Sequence, residues 1–369
     1  MRSKKKSAII YCENEFGKVD GKTAAGLVRH SEMYQIVGVV DSSLAGKDAG
    51  QELGGAKNGI PIFASLQEAC GKLPVIPSAL IYGKAPLEPK LCNKERGVIV
   101  EAIHKGMDII NGLHEFLSDD PEMALAAKVA KVHIRDIRKP PELAGLHLFT
   151  GEIAAKTVPV VAVLGTDCAS GKRTTAVILQ QELRDLGVNV FLVATGQTGL
   201  MQGARYGRSI DALPSQFVIG ELEHAVLQII EHENPDLILI EGQSAVSHPA
   251  FMSSVGILKG CMPDAVILQH APARKVRCDF PQLPMPNVRS EIKLIESISN
   301  AKVIALALSH EGLEPGEMKK EVKDHELRFQ LPTTDVLTNG SQKLVQSLVA
   351  YFPALAKKVT NLEFTPISA

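Results

Sequence analysis

One segment of the sequence has the residue types and the spacing of a phosphate-binding loop. It runs from Gly165 to Thr175, follows an apolar stretch and ends in Gly-Lys-Arg-Thr-Thr. In such a loop, small residues let successive backbone N–H groups converge on phosphate oxygens at the start of a helix, and a lysine adds a positive charge. The segment therefore predicts a Walker A type of site, with Lys172 exposed in the loop.

The predicted phosphate contacts are Gly165, Thr166, Asp167, Cys168, Ala169, Ser170, Gly171, Lys172, Arg173, Thr174 and Thr175. Five residues rather than four separate the two loop glycines, as in the dethiobiotin-synthetase branch of P-loop proteins, which this spacing resembles. Arg173 stands where the standard motif has the Ser or Thr whose hydroxyl binds Mg²⁺. Thr174 or Thr175 could supply that hydroxyl instead. A tight turn without a ligand is the alternative interpretation of the segment.

Two further residues with acid–base side chains lie beyond a second apolar stretch. Glu241 ends the run Pro235–Glu241, as an acid ends a Walker B strand, and in an open α/β sheet it would share a crevice with the loop. A strand-end acid held by the following turn is the alternative. His248 follows in a loop segment, where a catalytic role and a merely hydrogen-bonded role are both open.

The elements that must position these residues indicate an α/β fold. Apolar runs rich in Val, Ile and Leu alternate with stretches at helical spacing, as in parallel strands covered by crossover helices. They form two series, which predict a Rossmann-like N-terminal domain followed by a P-loop NTPase-like parallel-sheet domain. Two prolines and a glycine in Ile137–Gly145 separate the series, so we predict domains at residues 1–150 and 151–369.

The first series predicts strands at Ser7–Cys12, Tyr34–Val40, Ala79–Tyr82 and Met107–Asn111, with helices at Lys22–His30, Ser65–Cys70, Arg96–Lys105 and Pro121–Lys131. The second series predicts strands at Val158–Leu164, Val188–Ala194, Asp236–Glu241, Ala265–His270 and Lys302–Leu308, with helices at Lys172–Leu186, Glu221–His232 and Ser290–Ser299. This spacing implies right-handed crossovers within one open sheet in each domain.

The first domain lacks the signature of a dinucleotide site. Asp41 follows the second predicted strand, where such a fold often places an acid on the ribose. However, the segment Glu13–Gly21 after the first strand has only two glycines, at the wrong spacing for G-x-G-x-x-G. The sequence therefore argues against NAD binding and predicts that Asp41 caps the next turn.

Composition excludes several classes of protein. The chain has 369 residues and a formal net charge of -1, which removes the overall attraction to nucleic acid or to an anionic membrane. Its apolar runs fall short of the roughly 20 residues that span a bilayer, and Met1–Lys6 is better explained as a short tail before the first strand than as a signal peptide. The six scattered cysteines form no C-x-x-C pair, which argues against a metal cluster and a disulfide framework and favours the cytoplasm. Oligomeric state is left open, with a homo-oligomer among the alternatives.

Four segments stand out together: Gly165–Thr175, Thr195–Gly199, Ile240–Ser244 with Ser247–Pro249, and Leu331–Asp335. In these segments the chain resembles the DgcN-like D-glutamate N-acetyltransferase family, formerly a domain family of unknown function with a Rossmann-like and a P-loop part. The resemblance covers nearly the whole chain. It implies an enzyme that moves an acetyl group from acetyl-CoA to the amine of D-glutamate or of a related small amino acid.

The resemblance implies that the loop holds the phosphates of acetyl-CoA. Acyl transfer to an amine needs a base and a donor to the developing oxyanion. Glu241 and His248 are the candidate bases, and the backbone N–H groups of Gly196 and Gly242 are candidate oxyanion donors. An acidic substrate also needs cationic or amide side chains, for which the candidates are Arg205, Arg208, Arg274, Arg277, Gln197 and Gln243. A solvated surface residue or a helix-end partner is the alternative for each arginine. Cys168 is expected to be a small packing residue.

Two other functions stay open. The first is a kinase or ligase that uses ATP and Mg²⁺ on a small amino acid or dipeptide, with Lys172, Thr174 and Glu241 in its site. The second is a nucleotide sensor without chemistry. Arg173, in place of the Mg²⁺-binding hydroxyl, favours coenzyme A over ATP.

Overall fold

The computed structural model describes residues 5–86 and 90–359. Within these residues the chain forms two compact units. The first comprises the residues up to Pro140 together with Gln197–Ala204, and the second comprises Pro141–Gly196 and the residues from Arg205 onwards. The predicted basic tail at residues 1–4 lies outside the described residues.

The first unit is a six-stranded parallel sheet covered by helices. Its strands are β1 (Lys6–Tyr11), β2 (Tyr34–Val40), β3 (Ile62–Phe63), β4 (Ala79–Tyr82), β5 (Asp108–Asn111) and β6 (Ile134–Asp136). Its helices are α1 (Lys22–Arg29), α2 (Ala49–Glu52), α3 (Leu66–Lys72), α4 (Asn93–His104) and α5 (Pro121–Ala130). The strand order β3-β2-β1-β4-β5-β6 confirms the Rossmann-like prediction.

Asp41 has the role that the sequence predicts for it. It lies immediately after β2 and is fully buried. Its carboxylate accepts hydrogen bonds from the backbone N–H groups of Ser43 and Phe16, each at 3.0 Å. Asp41 therefore caps the turn after β2, and its carboxylate oxygens are used in holding the local backbone.

The second unit contains a seven-stranded parallel sheet and a small ribbon. Its strands are β7 (Val160–Gly165), β8 (Val190–Ala194), β9 (Tyr206–Gly207), β10 (Leu237–Glu241), β11 (Ala265–His270), β12 (Val276–Arg277), β13 (Phe280–Pro284), β14 (Lys302–Leu308) and β15 (Thr333–Thr334). The sheet order is β15-β14-β11-β7-β10-β8-β9, and β12 pairs antiparallel with β13. This sheet confirms the predicted parallel P-loop type of domain.

The helices of the second unit are α6 (Lys172–Asp185), α8 (Ser215–Glu233), α9 (Ser253–Gly260), α10 (Val288–Ile298), α11 (Pro315–Phe329), α12 (Val336–Asn339), α13 (Gln342–Tyr351) and α14 (Pro353–Ala356). Helix α7 (Gln197–Gln202) belongs to the first unit. The central strands β7 and β10 are completely buried along their length, because helices cover both faces of the sheet.

The six cysteines all lie among the described residues, and no disulfide links any two of them there. None of the helices in the described part of the chain is long and apolar enough to cross a membrane.

Candidate functional site

The carboxyl ends of three neighbouring strands bring the predicted site residues together. Strand β7 lies between β10 and β11, and all three run parallel. In this register Glu241 pairs with Val163, and Gln269 pairs with Gly165. The loop after β7, the acid at the end of β10 and the polar end of β11 therefore share one edge of the sheet.

The loop makes a sharp turn into α6. Gly171 has φ of +106°, a left-handed conformation that favours glycine, and a Cβ there would lie 3.3 Å from the Gln269 amide nitrogen. The Gln269 side chain also accepts a hydrogen bond from Thr175 Oγ1 at 2.6 Å, and its backbone oxygen accepts from Thr166 N at 3.0 Å. Gln269 thus fixes the loop from the adjacent strand. Gln269 was not among the predicted site residues, although a polar residue near the end of an apolar strand is a recognisable signal.

Lys172 is buried, with only 5% of its surface exposed, and this corrects the prediction of an exposed loop lysine. Its ammonium group donates a hydrogen bond to the backbone oxygen of Asp167, within the loop itself. A phosphate that enters the loop would compete with this carbonyl for the lysine. The start of α6 and the charges of Lys172 and Arg173 make the loop suited to an anionic ligand.

The carboxylate of Asp167 lies among cationic and polar groups from outside the loop. Its Oδ2 atom lies 3.0 Å from Arg274 Nη1 and accepts the Cys278 backbone N–H at 2.7 Å. Its Oδ1 atom lies 3.5 Å from Arg277 Nη1 and 3.7 Å from His248 Nε2. The carboxylate is fully buried, so the two guanidinium groups supply the opposite charge that a buried ion needs.

Cys168, in the loop, lies next to His248. The distance from Cys168 Sγ to His248 Nε2 is 3.9 Å. Burial raises the pKa of the Cys168 thiol to about 12, and burial together with the charge of Arg277 lowers the pKa of His248. Cys168, His248 and Asp167 could together surround a metal ion, but Arg274 and Arg277 already neutralise Asp167 and repel a cation.

Glu241 is held by the backbone of the neighbouring strand end. Its carboxylate accepts the Thr195 N–H at 3.1 Å and also the Gly196 N–H. The Gln243 amide, in turn, donates to the Thr195 backbone oxygen. Burial raises the pKa of Glu241, and the charges of Arg173 and Lys172 partly oppose that effect. Glu241 is thus a buried acid that links the ends of β10 and β8. The positive charges of Arg173 and Lys172 stabilise its carboxylate form.

The structure separates the two arginine pairs that the sequence places at one crevice. Arg274 and Arg277 contact the loop, where Arg277 also donates to the Ser247 backbone oxygen at 3.1 Å. Arg205 instead pairs with Glu233 at 2.8 Å with 68% of its side chain exposed, and Arg208 pairs with Glu221. The physical reason is the sheet order: these two arginines flank the edge strand β9, and α8 supplies nearer acids.

Gln197 belongs to α7 in the first unit, where its amide donates to Thr23 Oγ1 at 3.4 Å. A substrate contact from Gln197 stays a prediction.

Known proteins match both units. The P-loop domain of DUF1611, a domain of unknown function, matches residues 147–345, which is more than half of the chain. The chain belongs to the DUF1611 family. The Rossmann-like N-terminal domain of DUF1611 matches residues 42–140.

Relatives of this DUF1611 chain include two proteins named D-glutamate N-acetyltransferase. The one from Tritonibacter scottomollicae is 27% identical over 73% of this chain and 81% of its own length. The one from a Pseudoalteromonas species is 27% identical over 79% of this chain and 88% of its own length. The crystal structure of a DUF1611 protein from Anabaena variabilis superposes with a TM-score of 0.86 at 27% identity, covering 94% of this chain and 99% of the other.

Proposed function

We propose that the protein is an N-acetyltransferase that moves the acetyl group of acetyl-CoA to the amine of D-glutamate or of a related small amino acid. The observation that carries this proposal is a phosphate loop whose metal-binding hydroxyl is replaced. Arg173 occupies the usual hydroxyl position, and the Thr175 hydroxyl donates to Gln269. The names of the two relatives support the same reaction.

Coenzyme A suits such a loop because it carries a pyrophosphate and a ribose phosphate but needs no nucleotide turnover. Lys172, Arg173 and the N-terminus of α6 would hold these phosphates, with charge supplied by the protein rather than by Mg²⁺. The acetyl thioester is the chemically activated group that this co-substrate supplies when bound.

The reaction itself makes one bond and breaks one. The amine nitrogen attacks the thioester carbon, the new C–N bond forms and the C–S bond to coenzyme A breaks. The amine must first lose the proton of its ammonium form, and the leaving thiolate takes up a proton. Arg274 is the arginine best placed to hold the substrate carboxylate, because it is anchored on the loop.

The test is release of free thiol from acetyl-CoA by the purified protein, measured with D-glutamate, L-glutamate, D-aspartate and D-alanine as acceptors. We expect thiol release with D-glutamate or a close analogue and a product 42 Da heavier than the amine. Parallel reactions contain ATP and Mg²⁺ without acetyl-CoA. Acceptor-dependent ADP or AMP formation, with no thiol release, would replace this proposal by an ATP-dependent kinase or ligase.

A further inference from the structure

A histidine–aspartate pair lies at the same edge of the second unit as the loop. His310 Nδ1 is 2.8 Å from Asp335 Oδ2. Asp335 comes directly after β15, and its buried carboxylate also accepts the Leu337 N–H at 3.0 Å and the Thr338 hydroxyl at 3.1 Å. Asp335 is the last residue of the segment Leu331–Asp335. That segment contributes to the family resemblance, but the sequence predicts no functional role for it.

These bonds set the protonation form of His310. Because the carboxylate only accepts hydrogen bonds, Nδ1 of the imidazole must carry a proton, and the neutral ring then presents Nε2 as an acceptor. The His310 side chain is 43% exposed, so part of the ring is accessible to a ligand. A base whose ring is oriented by a third group, here a buried carboxylate, is typical of sites that carry out general-base catalysis.

The two bases predicted from the sequence have a different environment. Glu241 is buried and its carboxylate accepts two backbone N–H groups. The His248 side chain has no exposed surface, and its Nδ1 atom accepts the Ala250 N–H at 3.3 Å. The Glu241 and His248 side chains thus both accept hydrogen bonds from the backbone. The His310 ring is instead oriented by Asp335 and is partly exposed.

The residue next to His310 occupies one edge of Arg274. Nε of Arg274 lies 3.3 Å from Glu311 Oε1, and Nη2 contacts Oε2, so the two groups form a two-pronged pair. The third nitrogen, Nη1, donates to Asp167 and to the Cys168 backbone oxygen, which fixes the guanidinium on the loop. Arg274 is 8% exposed while Glu311 is 48% exposed. The exposed Glu311 carboxylate therefore occupies the Nε–Nη2 edge of Arg274. This edge of the guanidinium group also suits the carboxylate of a ligand.

The pairing of β14 with β11 places the Arg274–Glu311 pair and His310 close to the loop. Strand β14 pairs with β11, and Ser309 N, directly after β14, donates to the backbone oxygen of His270, the last residue of β11, at 2.8 Å. His270 Nδ1 in turn lies 2.9 Å from Thr166 Oγ1 in the loop. His310 and Glu311 follow Ser309 directly, so they extend from the loop's own edge of the sheet.

We propose that Arg274, Glu311 and His310 form the amino-acid subsite, in which the substrate carboxylate displaces Glu311 from Arg274 and His310 accepts the ammonium proton. This inference rests on the proposed acetyl transfer and names the residues for its second substrate. The proton moves from the substrate nitrogen to His310 Nε2. This first proton passes to solvent. The nitrogen lone pair then forms the C–N bond, His310 Nε2 takes the second proton from that nitrogen, the thioester C–S bond breaks, and the imidazolium gives this second proton to the departing thiolate. Asp335 acts as a positioning residue through His310.

Two variants separate the two roles. Glu311→Gln removes the competing charge, so KM for D-glutamate should fall at least threefold while kcat and KM for acetyl-CoA stay within twofold. His310→Asn should lower kcat by about 100-fold or more, the usual effect of losing a general base, with little change in either KM. The acid limb of the kcat profile should disappear in this variant, and added imidazole should partly restore kcat to His310→Ala. Glu231→Gln and His232→Asn, two exposed positions on α8, are the matched controls and should behave like the parent.

The outcomes are distinguishable. A raised KM for D-glutamate in Glu311→Gln, or a kcat for His310→Asn within tenfold of the parent, overturns the subsite while acetyl transfer stands. If the parent protein transfers no acetyl group at all, the proposed function fails. In that case, calorimetric titration with D-glutamate alone still tests the arginine: tighter binding to Glu311→Gln than to the parent supports the exchange of carboxylates, and equal or weaker binding refutes it.

Discussion

Asp167 Oδ2 and Arg274 Nη1 lie 3.0 Å apart in the phosphate loop, and both side chains are buried. Arg277 approaches the other carboxylate oxygen at 3.5 Å. The buried Asp167 carboxylate of the loop is therefore neutralised by Arg274 and Arg277, which lie in the segment after β11. This relationship explains how a loop rich in small residues keeps its shape, since Arg274 also binds the backbone oxygens of Cys168 and Ala169.

The first prediction concerns the stability of this ion pair. Asp167→Ala leaves the buried Arg277 without its counter-charge and Arg274 with only the exposed Glu311, and we expect it to lower the free energy of unfolding by about 3–5 kcal/mol. Urea unfolding followed by circular dichroism measures the change. Asp324→Ala, an exposed position on α11, is the control and should change stability by at most about 0.5 kcal/mol. A loss below about 1 kcal/mol for Asp167→Ala would show that the arginines find other partners.

The second prediction concerns Lys172 and ligand affinity. Lys172→Ala removes one charge-assisted hydrogen bond to phosphate, so the affinity for acetyl-CoA should fall by about 2 kcal/mol, or roughly 30-fold. Isothermal titration measures this affinity, and Lys323→Ala on the exposed side of α11 serves as the charge-matched control. Unchanged binding by Lys172→Ala would mean that the loop is only a turn.

The third prediction concerns magnesium. Arg173 replaces the hydroxyl that would bind Mg²⁺, and the Thr175 hydroxyl is bonded to Gln269. We therefore expect EDTA-treated protein to release thiol from acetyl-CoA at the same rate as untreated protein. Loss of turnover that added Mg²⁺ restores would instead favour the ATP-dependent alternative.

The sequence predicted the central elements of both sheets well. Strands β2, β4, β11 and β14 have the predicted bounds, because parallel strands that are largely or completely buried are continuous apolar runs. The short strands β3 and β15 were missed, since two residues give no periodic signal. Helix α11 was also missed: its sequence, Pro315–Phe329, is dominated by charged residues, and its packing depends on tertiary contacts.

The candidate site was predictable only where chemistry follows from local sequence. The loop from Gly165 to Thr175 could be recognised because its function depends on consecutive backbone groups. The hydrogen-bond donors to the Asp167 carboxylate, Arg274 and Cys278, by contrast, come from more than a hundred positions away, and no spacing rule links them. Arg205 and Arg274 likewise look equivalent as loop arginines in the sequence. Only the order of the strands shows that β9 is an edge strand and that β11 adjoins the loop strand β7.

The fourth prediction concerns pH and His270. Burial, with a smaller contribution from the nearby His325, lowers the pKa of His270 from 6.5 to about 3. Below about pH 6.5, His270 therefore binds a proton in the unfolded chain but not in the folded chain. Acidification from above that pH thus lowers the free energy of unfolding. Between pH 7 and pH 5 this should cost about 2 kcal/mol.

His270→Gln removes this contribution. Its free energy of unfolding should therefore fall by about 2 kcal/mol less than that of the parent between pH 7 and pH 5. Urea unfolding at both pH values provides the measurement, and His232→Gln on the surface of α8 should keep the parent's pH dependence. Identical pH slopes for the parent and His270→Gln would mean that His270 takes up its proton without unfolding.

The last prediction uses the separation of the two arginine pairs. Arg274→Lys keeps the charge but loses the two-pronged contact to a carboxylate, so KM for D-glutamate should rise about tenfold, or roughly 1.4 kcal/mol. Arg205→Lys should leave KM unchanged, because Arg205 pairs with Glu233 on α8 and is mostly exposed. Steady-state kinetics with each substrate varied in turn gives both constants, and thermal melting confirms that each variant is folded. If Arg274→Lys raises KM for acetyl-CoA as much as KM for D-glutamate, Arg274 contacts the phosphates of coenzyme A instead of the amino acid.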